Sequence, residues 1–297
     1  MIILIAFAIF AHTSILRLNY SPSYAYSPCN CVIFAMDDIA DYGGTKAQLA
    51  TMDYFLDRNL PFTASIIARD LANSSNLDVF HKVEEGVNKK IFEITIHGYR
   101  HVNHSLLTKE EQLSDFSKAN GKLEYLFGKR ADSFIPPFND FNLYTIEALS
   151  DLNITLFSTS PDSEQTTSNP YKSQTLLVVT NNSKLQVSKI SDEQPLVYHA
   201  PFSVSFLRLE GVYGLSGDRL VEESLRLIDE SIAKYGFAQV RLHPSDFSQV
   251  NATSGKIMNE VDDNRFQHLI TLVNNLEDRN IRIASFSEIY PHSATSS

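Results

Sequence analysis

The sequence predicts an α/β protein, a distorted (β/α) barrel of about seven parallel strands with a β-hairpin insertion. Three observations carry this expectation. From Cys31 onward, short apolar runs rich in Ile, Val and Phe alternate with longer amphipathic stretches, the rhythm of parallel βαβ units. The rhythm stops once, between Pro161 and Phe206, and then resumes. Polar residues able to do chemistry follow directly on several of the strand-like runs, at the edge where parallel α/β folds collect their ligands. An open doubly wound sheet is the alternative architecture.

Taken in order, Met1–Ala11 is almost wholly apolar and Leu16 closes the run. That is shorter than the ~20 residues a spanning helix needs. It suits a signal peptide whose small-x-small pattern at Ser23-Tyr24-Ala25 ends a segment 1–25, with an uncleaved membrane anchor as the alternative. The expected location is extracytoplasmic, secreted or anchored, with residues 26–297 forming one domain. The two cysteines, Cys29 and Cys31, sit too close for an ordinary structural disulfide, which gains stability by bridging distant chain. Cys29 is expected to be free or paired between molecules, and Cys31 to enter the first strand.

Buried strands are expected at Val32–Met36, Phe62–Ala68, Ile91–Ile96, Ser133–Pro137, Thr155–Thr159, Ala238–Leu242 and Ile281–Phe286. Helices are expected at Thr45–Arg58, Leu77–Lys90, Lys109–Phe127, Leu143–Leu152, Asp218–Tyr235 and Asp263–Asp278. In Asp218–Tyr235, for example, Leu220, Leu225, Leu227, Ile228 and Ile232 recur largely at three- and four-residue steps. Within 161–206, Gln174–Thr180 and Lys184–Ile190 flank the turn signal Asn181-Asn182, and a strand at Leu196–His199 follows.

Composition narrows the function. The 297 residues are 43% apolar, enough for a sizeable core, and carry 25 Lys+Arg against 35 Asp+Glu. A net charge of −10 without basic clusters argues against a nucleic-acid partner. Sequons at Asn73, Asn153, Asn181 and Asn251 fit an exported chain. Oligomeric state is not legible.

The first strand runs into Asp37-Asp38, and Ile91–Ile96 ends in His97 with His101 four residues on. Ser133–Pro137 leads to Phe138-Asn139-Asp140, and Ala238–Leu242 ends in His243-Pro244. Each motif alone is weak. Together, one carboxylate and two imidazoles make a common ligand set for a catalytic divalent metal, with a second carboxylate as base and another His as acid.

This order of motifs resembles the polysaccharide deacetylases, the NodB-homology group or carbohydrate esterase family four, over roughly Cys31 to Tyr290. The resemblance implies a seven-stranded distorted barrel that removes acetyl groups, N-acetyl first, from an amino sugar or polysaccharide. It implies one divalent ion, Zn²⁺ by expectation, on Asp38, His97 and His101, with Asp37 as catalytic base and His243 as catalytic acid. The segment Ile135-Pro136-Pro137-Phe138 matches the family's Arg-x-Pro-Tyr, which implies substrate contacts at Pro137, Phe138 and Asn139. The chain departs from the pattern in three places. Ala35-Met36-Asp37-Asp38-Ile39 stands for Thr-Phe-Asp-Asp-Gly, and there is no Trp. Ile135 takes the place of the motif arginine, so the cation that orients the base is expected to be missing. His104 is expected to be a loop residue without a role, with a fourth metal contact as the alternative. Asp140, like Asn139, is a candidate substrate contact, and Asp162 and His199 are candidates for the cleft edge. Two other classes stand beside hydrolysis: a catalytically weak metal- or glycan-binding protein on the same fold, and a glycoside hydrolase using Asp37 with another carboxylate.

Overall fold

The structure is a computed structural model that describes residues 29–160, 177–178, 186–188, 197–251 and 253–289. The expectations for segment 1–25, for the turn Asn181-Asn182 and for Asp162 lie outside the described residues. Among those described, no helix is long and apolar enough to cross a membrane.

The first half of the chain is a run of βα units. Strand β1 (Cys31–Ile39) leads to α1 (Thr45–Asp57), β2 (Phe62–Ile66) to α2 (Asp78–Asn88), and β3 (Phe92–Ile96) to α3 (Lys109–Phe127). Next come β4 (Ser133–Phe134), α4 (Leu143–Asp151) and β5 (Leu156–Phe157). Helix α3 starts where its sequence says it should. Thr108 and Glu111 cap each other's backbone N–H groups, and Gly128 closes the helix in the left-handed region. Gly86 of α2 is required by packing rather than by turning, since a Cβ there would lie 2.1 Å from the Phe92 ring.

The insertion supplies β6 (Leu177–Val178), β7 (Gln186–Ser188) and β8 (Val197–His199). β6 and β7 pair antiparallel, β7 pairs antiparallel with β8, and β8 joins the main sheet parallel to β5. After it come β9 (Val204–Ser205), α5 (Phe206–Gly211), α6 (Asp218–Tyr235) and β10 (Phe237–Leu242). The chain then adds an antiparallel hairpin, β11 (Ser248–Val250) with β12 (Ile257–Val261), before α7 (Asp263–Asp278) and β13 (Arg282–Ala284). That hairpin and α5 have no counterpart in the sequence reading. The β12 residues are almost all exposed, so no apolar alternation marks them.

The strands form an 11-stranded sheet in the order β6-β7-β8-β5-β4-β3-β2-β1-β10-β9, with β13 also on β1. Its parallel strands make a half-barrel covered by helices, the distorted (β/α) barrel architecture. Side chains alternate between its faces. Val32, Phe34 and Met36 of β1 join the large core under the helices, where rings from Phe34 through Phe55 and Phe62 to Phe92 follow at 4.8–5.2 Å. Cys31, Ile33 and Ala35 face the other way, with Ile135, Leu156, Phe237 and Phe286.

Cys29 and Cys31 form a disulfide, which overturns the expectation of a free or intermolecular Cys29. The loop-length argument bears on how much a crosslink stabilises, not on whether two sulfurs can meet. Here Asn30 takes φ +46° between them, and its N–H donates to the Gly236 carbonyl at 2.8 Å. The local reversal leaves the two Cα atoms 5.1 Å apart, within ordinary disulfide reach. Cys31 lies in β1 as expected.

Candidate metal centre

Consecutive residues of a strand point to opposite faces, so Asp37 and Asp38 should not serve one site. Backbone geometry resolves this. Asp38 has φ +60°, and the pairing of β1 with β2 shifts register between Met36 and Ile39. This bulge re-aims the side chain, and both carboxylates reach the same edge of the sheet.

His97 follows the last residue of β3, and its backbone N–H is anchored to the Ile66 carbonyl. The loop after it reverses at Gly98 (φ +82°), where a Cβ would lie 2.5 Å from the Arg100 carbonyl oxygen. Tyr99 N–H donates to the buried Asp115 carboxylate at 2.7 Å, which brings His101 back over the strand end. Asp38 Oδ1 then lies 3.3 Å from His97 Nε2 and 3.2 Å from His101 Nε2.

These residues suit a divalent cation. The three ligand atoms lie within 4.8 Å of one another, a carboxylate with two imidazoles. His97 Nδ1 lies 2.8 Å from the Ile135 carbonyl. A carbonyl only accepts, so Nδ1 carries the proton and Nε2 keeps its lone pair for an ion. Apart from these two imidazoles, Asp38 Oδ1 is buried with no polar partner among the described residues. Burial pulls the Asp38 carboxyl upward, but His101 and His97 outweigh it and hold the group well below the usual carboxylate range.

His243 enters from the end of β10, its Nε2 3.8 Å from Asp37 Oδ2 and its Nδ1 3.8 Å from Asp246 Oδ2. Burial works against the imidazolium, yet Asp246, Asp37 and Asp38 together raise it to about 9. It is therefore a proton donor at neutral pH. Asp37 itself is buried.

The sequence reading missed Arg241. The substitution at Ile135 led to the expectation that no cation stands beside Asp37, but one does, with Arg241 Nε 3.4 Å from Asp37 Oδ2. It comes from β10, two residues before His243, and is 1% exposed. Its position inside the apolar run Phe237–Leu242 was the available signal, since an arginine at a buried strand position needs an acid to meet.

Pro137 is buried and Phe138 is 61% exposed, its ring centroid 4.6 Å from that of His101. Phe138 and Asn139 both adopt positive φ, 60° and 58°, a strain that local contacts must hold in place. Asn139 Oδ1 accepts from Arg241 and Asp140 Oδ2 from Asn103. His104 is fully buried, stacked on Phe116 with Nε2 3.3 Å from Asp115, and stands outside the metal group as expected. His199 is no cleft-edge residue. It is buried beside Phe157, with Nε2 2.8 Å from Thr159 Oγ1.

Residues 26–157, which hold four of these five polar ligands and bases, match the family model for polysaccharide deacetylase. Over that stretch, somewhat less than half of the chain, the sequence is similar to the polysaccharide deacetylases. No curated protein matches the sequence. Among solved structures this chain resembles a peptidoglycan N-acetylglucosamine deacetylase at 13% identity and TM-score 0.54, covering 90% of this chain and 91% of that one. It resembles a family 4 acetyl xylan esterase from Clostridium thermocellum, in complex with a cobalt ion, at 11% identity and TM-score 0.50, covering 87% and 89%. A CE4 family pseudoenzyme from Bacillus anthracis is similar at 13% identity and TM-score 0.52, covering 88% of this chain and 65% of that one. The chain thus spans about two thirds of the pseudoenzyme's length.

Proposed function

We propose that the protein is a metal-dependent hydrolase that removes an acetyl group, N-acetyl first, from an amino sugar or polysaccharide. The observation that carries this reading is the convergence of Asp38, His97 and His101 on one point, with Asp37 and His243 beside it at the same sheet edge. Asp38, His97 and His101 would hold a divalent cation, Zn²⁺ by the donor set, which when bound would supply Lewis-acid chemistry to a carbonyl and to water. Asp37 accepts the proton as water adds to the carbonyl carbon. The Phe138 N–H, presented by its left-handed turn, donates to the developing oxyanion. His243, protonated at neutral pH, gives its Nε2 proton to the departing nitrogen, so the products are acetate and a free amine. Exposed Phe138 and Tyr42 offer faces on which a sugar ring stacks, alongside Pro137 and Asn139.

An extracytoplasmic location belongs to the same proposal. The Cys29–Cys31 disulfide supports it, because such bonds persist mainly in oxidising compartments.

The test is elemental analysis of the chain from Tyr26 onward, followed by acetate release from acetylated amino sugars and polymers. About one divalent ion in wild type, none in the His97→Ala/His101→Ala variant, and release by wild type alone are expected. A wild type that takes up no ion after reloading sinks the mechanism. The resemblance to a pseudoenzyme favours a second reading, a metal- or glycan-binding protein. Full metal occupancy without acetate release from any substrate selects it.

A further inference from the structure

Arg241 raises a question that the hydrolase reading, on which the following rests, leaves unanswered. A guanidinium 1% exposed within the sheet is costly to bury unless every donor is met. Nη1 donates to Asn139 Oδ1 at 2.7 Å, and Nη2 to Ser158 Oγ at 2.8 Å and to the Ser158 carbonyl at 3.2 Å. The Ser158 hydroxyl donates onward to Gln239 Oε1 at 2.7 Å, which fixes its lone pairs toward the arginine. The Phe202 ring covers the guanidinium face at 4.3 Å. The remaining corner, Nε, makes no hydrogen bond among the described residues and is left to an ion-pair contact with Asp37 Oδ2 at 3.4 Å.

A purely structural arginine could end on carbonyls alone. This one divides its corners between the two halves of the reaction centre. Nε lies in ion-pair contact with Asp37 on β1, and Nη1 holds the turn after β4 that carries Phe138 and Asn139 at positive φ. We propose that Arg241 is a positioning residue that orients Asp37 and pins the Pro137–Asn139 turn with a single planar group, delivered from β10 in place of the arginine absent at Ile135. A lysine cannot take this role, because one ammonium cannot span both partners in a fixed plane.

The experiment uses the full metal-loaded chain. Arg241→Lys and Arg241→Gln are expected to lower kcat for acetate release by about 10–100-fold, the range typical of residues that support a metal site. KM should stay within about threefold and metal stoichiometry should not change, a split that general loosening would not produce. Asn139→Ala, which removes the acceptor of Arg241 Nη1, should lower kcat about tenfold with metal stoichiometry unchanged. In Arg241→Ala, adding Ile135→Arg should recover part of the lost kcat. Independently of activity, urea unfolding of Asp37→Asn, Arg241→Gln and the double variant should be non-additive.

Arg241→Lys and Asn139→Ala that both keep kcat within twofold overturn the inference, as does an additive cycle. The two failures are distinguishable. An active wild type whose Arg241 variants are unimpaired sinks the inference alone. A wild type that releases no acetate sinks the hydrolase reading and takes the positioning role with it.

Discussion

The two faces of the same strands have been built to different ends. On β2, Phe62, Ala64 and Ile66 enter the core under the helices, while Thr63 and Ser65 are buried on the other side. On β3 the pairs are Ile94 and Ile96 against Thr95 and His97, and on β10 they are Ala238, Val240 and Leu242 against Gln239, Arg241 and His243. Parallel sheets covered on both faces usually read as unbroken apolar runs. Here the inner face keeps its apolar residues low in the barrel, at Cys31, Ile33 and Phe237, and turns polar toward the carboxyl edge. The outer face holds the molecule together. The inner face positions charge where water is scarce, and there each charge counts for more.

The comparison can be broken most sharply at Asp37. Asp37→Asn should lower acetate release by about 10²–10⁴-fold, the size of a general-base contribution, with metal content retained. A variant of unchanged rate removes Asp37 from the mechanism. The outer face should respond in stability instead. Phe34→Ala deletes a fully buried ring in the aromatic row and should cost about 3–5 kcal/mol, measured by urea unfolding. The folded fraction should bind as much metal as wild type, and lost stoichiometry would show that the two faces are not separable.

His199 sharpens the contrast through pH. Burial first, and then the Arg241 charge, push its imidazole down to about 4 from 6.5. Below pH 6.5 the unfolded chain takes up a proton that the folded chain refuses until about pH 4. Stability from this residue is therefore complete above 6.5 and is lost as pH falls across that window, by on the order of 2–3 kcal/mol. His199→Gln should flatten the slope of stability between pH 7 and 5, and an unchanged slope would put the acid sensitivity elsewhere.

The smallest effect is expected at Thr95, whose buried hydroxyl has no hydrogen-bond partner among the described residues. Thr95→Val keeps the shape and removes the unpaired group, so stability should change by less than about 1 kcal/mol. A loss above about 2 kcal/mol would mean that the hydroxyl holds an ordered water on the inner face.

Much of this was legible in the sequence, for physical reasons that differ between regions. Helices Lys109–Phe127, Asp218–Tyr235 and Asp263–Asp278 fall at the residues their periodicity predicts, because amphipathic spacing and caps are local signals. The strand ends carrying Asp38, His97, His101 and His243 were equally readable, since a polar residue after an apolar run marks the carboxyl edge of a parallel sheet. The exposed β11–β12 hairpin left no such pattern. The Cys29–Cys31 pairing was misread because it depends on the left-handed turn at Asn30 and not on loop length.

By itself, then, the sequence determined the α/β rhythm, the parallel barrel and the set of candidate ligands, since hydrophobic period and residue type are written along the chain. Tertiary structure alone decided which of those groups act together. The bulge at Asp38 puts two neighbouring carboxylates on one edge, and the carbonyl of Ile135 selects the lone pair of His97. The β1–β10 pairing, with Ala35 opposite Arg241 and Met36 opposite Leu242, brings a cation from far along the chain to the base. Those are matters of register and backbone sign, and no one-dimensional spacing encodes them.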